Sequence, residues 1–339
     1  MLNQIDDDEL KAEVSRVVGL SPFFGELLEQ SPDFLVTLGS SCDALSRAEL
    51  NDRYRRFLSE GPDDVPAALR LLRRREMMRI IFRDLTRKAD LFETTAELSQ
   101  LADFCVQTAL DDCYQAAVAR YGQPLSPRGL PEQLIVLGMG KLGAYELNLS
   151  SDIDLIFFYT HQGTLGFEQN GRDQTISFQE FFIRLARQLI SHLDDAGPIA
   201  NVFRVDMRLR PYGDSGPLVI HRAAMEKYYL EQGRDWERYA FIKARAIAGD
   251  LEGGRDFLSW LRPFIYRRHQ DYGAVQSLRE MKGLITRQIE LNEMSHDLKL
   301  GPGGIREIEF IAQAHQLIWG GKHLGLQKRE LFQVLESLV

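Results

Sequence analysis

The sequence predicts an α+β fold, mostly helical, with a small sheet set between an N-terminal and a C-terminal helical region. Three observations carry this expectation. Residues 1 to about 125 show helical periodicity and capping signals and no strand-like run. Two short β-branched apolar runs, Leu134–Leu137 and Ile153–Tyr159, stand close together in mid-chain. From about Ala223 onward the apolar spacing is helical again. The expected division is 1–125 for the first helical region, 126–220 for the sheet-bearing core and 221–339 for the second helical region.

In the first region Ser46 with Glu49, and Thr94 with Glu97, read as capping boxes. A helix over about 67–88 carries Arg70, Arg73, Arg74, Arg75, Arg79, Arg83 and Arg87 beside Leu71, Leu72, Met77, Met78, Ile80 and Ile81. Two readings stand for it: a solvated, salt-bridged face, or a docking face for an acidic partner. After Thr94 a long apolar period runs through Cys105 and Cys113 until Gly122 stops it. The three cysteines, Cys42, Cys105 and Cys113, lack metal-ligand spacing, and the last two read as small core hydrophobes.

Gly122 to Pro131, with three prolines, is the clearest break in the chain. After the two apolar runs, 160–174 is polar and reads as an excursion loop. Ser177 with Glu180 opens a helix with Phe181, Phe182, Leu185 and Leu189 inward, and Asp194–Pro198 ends it. A third strand is expected over Val202–Leu209, with Phe203, Val205, Met207 and Leu209 on one face and Arg204, Asp206, Arg208 and Arg210 on the other. Helical patterns follow over 228–248 and 278–293. A Gly-rich turn at 301–304 leads into another helix, and the closing LFQVLESLV is amphipathic without a polar tail, as if cut within a larger protein.

The chain of 339 residues is 44% hydrophobic and 27% charged, ordinary for a globular protein of more than one core. Its net charge of -8 argues against a nucleic-acid backbone as the main partner. No apolar run reaches the roughly 18 residues a spanning helix needs, and the acidic start MLNQIDDDEL is not signal-like. A cytoplasmic protein with no membrane and no nucleic-acid partner is expected. His192, His269, His296 and His315 are scattered and read as structural or exposed.

The chemistry-bearing stretch is Leu134–Tyr159. A Gly138-Met139-Gly140-Lys141 turn offers backbone N–H groups and a positive charge to phosphate. Asp152 and Asp154, two apart at a strand start, point the same way and need a cation between them. Asp206 on the third strand supplies a third carboxylate if the strands pair. Hard oxygen ligands of this kind suit Mg²⁺ with open positions for phosphate oxygens. Two ions about 4 Å apart would serve an in-line displacement. Arg208 and Arg210 either orient an incoming oxyanion or form solvated salt bridges. Arg234, Asp235, Trp236 and Arg238 either line the approach or pack as a core with an ion pair.

The Gly-rich turn, the Asp-x-Asp strand and the third carboxylate resemble the nucleotidyltransferase superfamily, whose fold is that of DNA polymerase beta. Four blocks, GMGKLGAYELNLSSDIDLIF, FRVDMRLRPYGDSGPL, EQGRDWERYAFIKARAIAGD and GPGGIREIEFIAQ, resemble in order the glutamine synthetase adenylyltransferase/adenylyl-removing enzyme family. QGRDWERYA, LRPFIYRRHQDYGAVQSLREMKG and the start at Met1 are similar to its N-terminal half. The resemblance implies removal of AMP from a tyrosine of glutamine synthetase by phosphorolysis, with inorganic phosphate consumed and ADP released. It implies Mg²⁺ on Asp152, Asp154 and Asp206, and phosphate contacts from Gly138, Gly140, Lys141, Ser151, Arg208 and Arg210. Of Glu307 and Glu309, which follow the Gly-rich turn and point apart on a helix, at most one adds a carboxylate to the metal site, Glu309 being preferred. Residues 221–339 would then complete the active site, and a PII signal-transduction protein would be the regulator. Two other readings remain open: ATP-dependent attachment of AMP to glutamine synthetase or another acceptor, and an inactive module of the same fold.

Overall fold

The computed structural model describes residues 7–38, 43–61, 64–196, 200–267 and 303–339, with single positions between 276 and 301. Two compact units share the chain. The first comprises Met1–Ala117, Tyr145–Ile153 and Arg187–Val205; the second comprises Val118–Ala144, Asp154–Ala186 and Asp206–Val339.

The first unit is helical. Helices α1 (Asp8–Leu20), α2 (Pro22–Gln30), α3 (Phe34–Leu38), α4 (Arg47–Glu60), α5 (Val65–Leu85) and α6 (Leu91–Tyr121) follow one another, with α6 running on into the second unit. Val14, Val17, Phe24, Leu28, Phe34, Met78, Ile81 and Phe82 share one buried cluster. The Ser46–Glu49 capping box forms as expected. Thr94–Glu97 does not act as one, because α6 starts earlier, at Leu91. Asp90 supplies that end, its Oδ1 accepting the Glu93 N–H at 2.8 Å.

Glu97 is spent elsewhere, on the arginines of α5. The salt bridges expected of that helix's basic face are present, but its solvation is corrected at three positions: Arg74, Arg79 and Arg83 are buried. Arg79 donates to Glu76 Oε2 and Glu97 Oε1, each at 2.7 Å, and Arg83 pairs with Glu97 and Glu93. Cys105 and Cys113 are buried as expected. Burial pushes both thiols up to about 12, so neither is a reactive thiolate.

In the second unit β1 (Ile135–Gly138) pairs antiparallel with β2 (Ile153–Tyr159), Val136 opposite Phe157, with Ile153 itself counted in the first unit. The sheet order is β5–β2–β1–β7, with β6 also pairing with β2. Here β5 is Val205–Asp206, β6 is Val219–His221, parallel to β2, and β7 is Arg245–Gly249, antiparallel to β1. The expected mixed sheet in a mostly helical α+β protein is therefore present. Between β1 and β2 lies the single turn α7 (Gly140–Gly143), and α8 (Phe178–Asp194) follows the sheet's central pair. Its Phe182 stacks on Tyr159 at 4.9 Å between ring centres. Helices α9 (Arg222–Glu231), α10 (Asp235–Phe241) and α11 (Leu251–Ile265) bury Tyr229, Phe241, Phe257 and Leu261 against Ile135, Leu137, Ile156 and Phe158. Then come α12 (Ile305–Trp319) and α13 (Leu331–Leu338).

Three expectations are corrected. The polar stretch 160–174 is no loop: β3 (Thr164–Gln169) and β4 (Arg172–Ser177) form a hairpin. Asn170 and Gly171 turn it, both at positive φ (55° and 73°), which is what a two-residue hairpin of this twist requires. The strand expected over Val202–Leu209 shrinks to Val205–Asp206, because the chain turns at Met207. The helix expected to reach Ala248 ends at Phe241, and Arg245–Gly249 becomes β7 because β1 offers it an edge. Apart from Glu280 and Gly283 the pattern at 278–293 lies outside the described residues, as do Cys42, His269 and His296.

Candidate active site

The site is built around the first turn after β1. Met139 N–H donates to the Asp154 carbonyl at 2.9 Å, continuing the ladder between the strands. At Gly140 φ is +52°, and a Cβ there would lie 3.0 Å from Asp154 Oδ2. Only glycine lets the chain take that conformation while passing so close to the carboxylate. Gly143 is tighter still: a Cβ would meet the Lys243 carbonyl oxygen at 1.9 Å and the Gly138 carbonyl oxygen at 2.6 Å. Backbone on both sides cannot give way as a flexible side chain would. Gly143→Ala is expected to cost about 3 kcal/mol or more, read as the denaturation midpoint; wild-type stability would refute this packing.

Asp154 is the half-buried second residue of β2, and Asp152 is exposed just before the strand. In the first unit the Arg204 guanidinium pairs with Asp152 and donates to the Ser150 carbonyl at 2.7 Å, while Ile153 N–H donates to the Arg204 carbonyl at 2.9 Å. In the second unit Asp206 sits where β5 ends. Its Oδ1 accepts the Arg208 N–H at 2.8 Å, and its Oδ2 accepts Arg208 Nε at 2.8 Å. Hydrogen bonding from the Arg208 side chain holds the Asp206 carboxyl below the usual carboxylate range, against the opposing pull of partial burial. Arg208 is in turn held above its ordinary value, first by its hydrogen bond to Asp206, with the Asp154 charge adding to it. One exposed guanidinium therefore feels Asp206, Asp154 and, last, Asp214.

Arg208 reaches Asp206 for a different reason from the one the sequence suggested. Strand alternation would have placed them on one face; instead the chain turns after Asp206 and brings the arginine back over it. Arg210 donates to the Met207 carbonyl at 2.7 Å and adds its charge to Asp206, and its Nε is buried without a partner. Lys141 is half-buried on α7, and Ser151 is half-buried before β2. Glu307 and Glu309 fall on α12: Glu307 accepts the Gly303 N–H at 2.7 Å, and Glu309 is ion-paired with Lys243 at 2.7 Å. Trp236 is partly exposed, and Arg238 is buried, paired with Asp235 and donating to the Phe264 and Ile265 carbonyls. His192 joins the first unit's helical packing through Asp112, at 3.1 Å.

Arg204 and Lys243 carry no local signal of these roles. The pattern places Arg204 on the polar side of a strand, and nothing near it in sequence marks it as the partner of Asp152. The helical period runs through Lys243, which lies beyond the end of α10.

The glutamate-ammonia ligase adenylyltransferase family model matches residues 11–260, most of the chain. The chain belongs to that family. A GlnD PII-uridylyltransferase model matches residues 279–338. A bifunctional glutamine synthetase adenylyltransferase/adenylyl-removing enzyme of Pseudomonas syringae pv. tomato is 49% identical over 329 residues, covering 95% of this chain and 33% of the relative. Relatives of the same description from Pseudomonas aeruginosa and Nitrosococcus oceani are 47% and 48% identical, covering 98% and 95% of this chain and 34% and 33% of their own lengths. The chain thus spans about a third of the curated relatives it matches. Among its described residues no helix is long and apolar enough to cross a membrane. The resemblance carried by the four sequence blocks and the family match agree.

Proposed function

We propose that this chain removes AMP from the adenylylated tyrosine of glutamine synthetase by Mg²⁺-dependent phosphorolysis. The supporting observation is one guanidinium, Arg208, bonded to Asp206 and acted on by Asp154, beside a glycine turn pressed against Asp154. That is a place where anionic phosphate and a cation balance each other. The relatives' shared description names both adenylyl transfer and adenylyl removal. Removal is preferred here because the blocks at 232–240 and 261–283 resemble the N-terminal half of such enzymes.

The donor set suits a hard cation: Asp152, Asp154 and Asp206 are all oxygen donors, and two of the three already draw a guanidinium. These residues would hold Mg²⁺, with two ions the expected number and Glu309 a further ligand once released from Lys243. When bound, the metal supplies Lewis-acid stabilisation of phosphoryl charge. Arg208 and Arg210 orient the incoming phosphate, and Gly138, Gly140, Lys141 and Ser151 contact phosphate oxygens. An oxygen of hydrogen phosphate forms the new P–O bond to the AMP phosphorus. The tyrosyl oxygen leaves with the proton that phosphate brought, giving ADP and free tyrosine. The core is assigned to 126–220, flanked by helical regions 1–125 and 221–339. A PII signal-transduction protein as regulator and a cytoplasmic setting belong to the same proposal.

The test is to incubate the chain with adenylylated glutamine synthetase, phosphate and Mg²⁺ and to identify the nucleotide released. ADP that depends on phosphate is expected. AMP would mean hydrolysis instead, and no release, or attachment of AMP from ATP, would overturn the assignment to removal.

A further inference from the structure

Helix α5 treats the arginines of its two ends in opposite ways. Towards its C-terminus Arg79 and Arg83 are buried and ion-paired with Glu76, Glu93 and Glu97, with Arg83 Nε left without a partner. Glu76 and Glu97 outweigh the burial that by itself would lower Arg79, and hold it above its ordinary value. Towards the N-terminus Arg70, Arg73 and Arg74, spaced three and four apart on one helical face, line a cavity of about 590 Å³ within the first unit. There, among the described residues, Arg73 and Arg74 have no carboxylate partner and Arg70 has a distant one.

Arg74 is only 8% exposed, yet its one hydrogen bond is to the Leu27 carbonyl at 3.3 Å, and its Nε has no partner. Arg73 has a buried Nε with no partner, and its guanidinium lies 4.9 Å from the centre of the Phe203 ring. Among the described residues neither arginine has a carboxylate within ion-pair distance. Arg70 has only the loose contact with Asp64 at 3.8 Å. Arg204, on the same wall, is held by Asp152. Among the described residues the one carboxylate lining the space is Glu26, which is exposed.

A buried guanidinium without a counter-charge is costly, and the same helix pairs its other buried arginines. Burial accordingly pushes Arg73 and Arg74 below their ordinary values. The volume is that of a small-molecule site, and its walls combine the guanidinium groups with Ser21, Asn201 and the apolar Leu27, Met77 and Ile81. Guanidinium groups flanked by hydroxyls grip phosphate through paired N–H bonds.

We infer that this cavity is a binding site for a small phosphate-bearing molecule, its phosphate seated on Arg73 and Arg74 and its apolar part against Leu27, Met77 and Ile81. The site lies wholly in the helical unit and does not rest on the phosphorolysis reading. Inorganic pyrophosphate is the probe, titrated calorimetrically into the full chain in EDTA, so that no metal-dependent binding contributes. Saturable one-to-one binding is expected. Arg73→Gln should weaken it at least tenfold, and the probe should no longer raise that variant's Tm. The free variant should melt no lower than wild type, since it loses an unpaired buried charge.

Arg70→Gln, at a position less deeply buried, gives a second measurement independent of the core and should weaken binding severalfold. Asp154→Asn should bind the probe as wild type does, which separates this site from the candidate active site. Absence of saturable binding to wild type overturns the inference. So does binding that both arginine variants leave unchanged, or binding that Asp154→Asn abolishes.

Discussion

Asp154→Asn is expected to lower phosphate-dependent AMP release from adenylylated glutamine synthetase by about 10³-fold or more, with Tm within a few degrees of wild type. The substitution keeps the shape of the side chain that Gly140 approaches, and the Asp154 carbonyl that accepts Met139 N–H is untouched. What it removes is one of the negative charges that act on Arg208. Asp206→Asn removes the one bonded to Arg208 and should be as damaging to turnover. It should also free Arg208, whose side chain is exposed and gains little stability from the pair. Turnover by product analysis and Tm by calorimetry are read on the same preparations. Wild-type-like turnover in both variants would remove these aspartates from the chemistry. Lost turnover with a collapsed Tm would assign them to structure instead.

Much of that site was legible in sequence because its parts are local. A glycine turn, a lysine and two aspartates within seventeen residues carry their geometry with them: β1 and β2 fall where the apolar runs are, and Asp154 is the second residue of its strand. Elements whose structure depends on a distant partner were not legible. Arg245–Gly249 is a strand because β1 lends it hydrogen bonds, although its own residues fit a helix equally well. The hairpin at 164–177 did carry a local signal, Asn170-Gly171, which its polar setting masked. The pairing of Arg204 with Asp152 spans 52 positions of sequence, and no spacing rule reaches that far.

The arginine-rich helix α5 was misread for the same reason, and it leads to the largest expected effect on stability. Its basic residues look like a solvated face until α6 brings Glu93 and Glu97 against them. Glu97 is 7% exposed and accepts from Arg79 at 2.7 Å and from Arg83, with the Leu45 N–H at 3.4 Å. Glu76, wholly buried, is shared by Arg79 and Arg53 at 2.7 Å each. Glu97→Ala strips one carboxylate from two buried guanidinium groups, and removing one partner of such a network costs about 3–5 kcal/mol. For a unit of this size that corresponds to a Tm lower by about 10 °C. Because the charges are buried, added salt should change the loss little. The cost comes from stranded charge rather than from a lost favourable contact, so replacing the charges together should recover it. Glu97→Leu combined with Glu76→Gln, Arg79→Met and Arg83→Leu is expected to regain most of the stability lost in Glu97→Ala, since Arg79→Met alone would strand the buried Glu76. A quadruple variant as unstable as the single one would show that α6 is held to α5 by the ion pairs themselves, and would overturn the desolvation account.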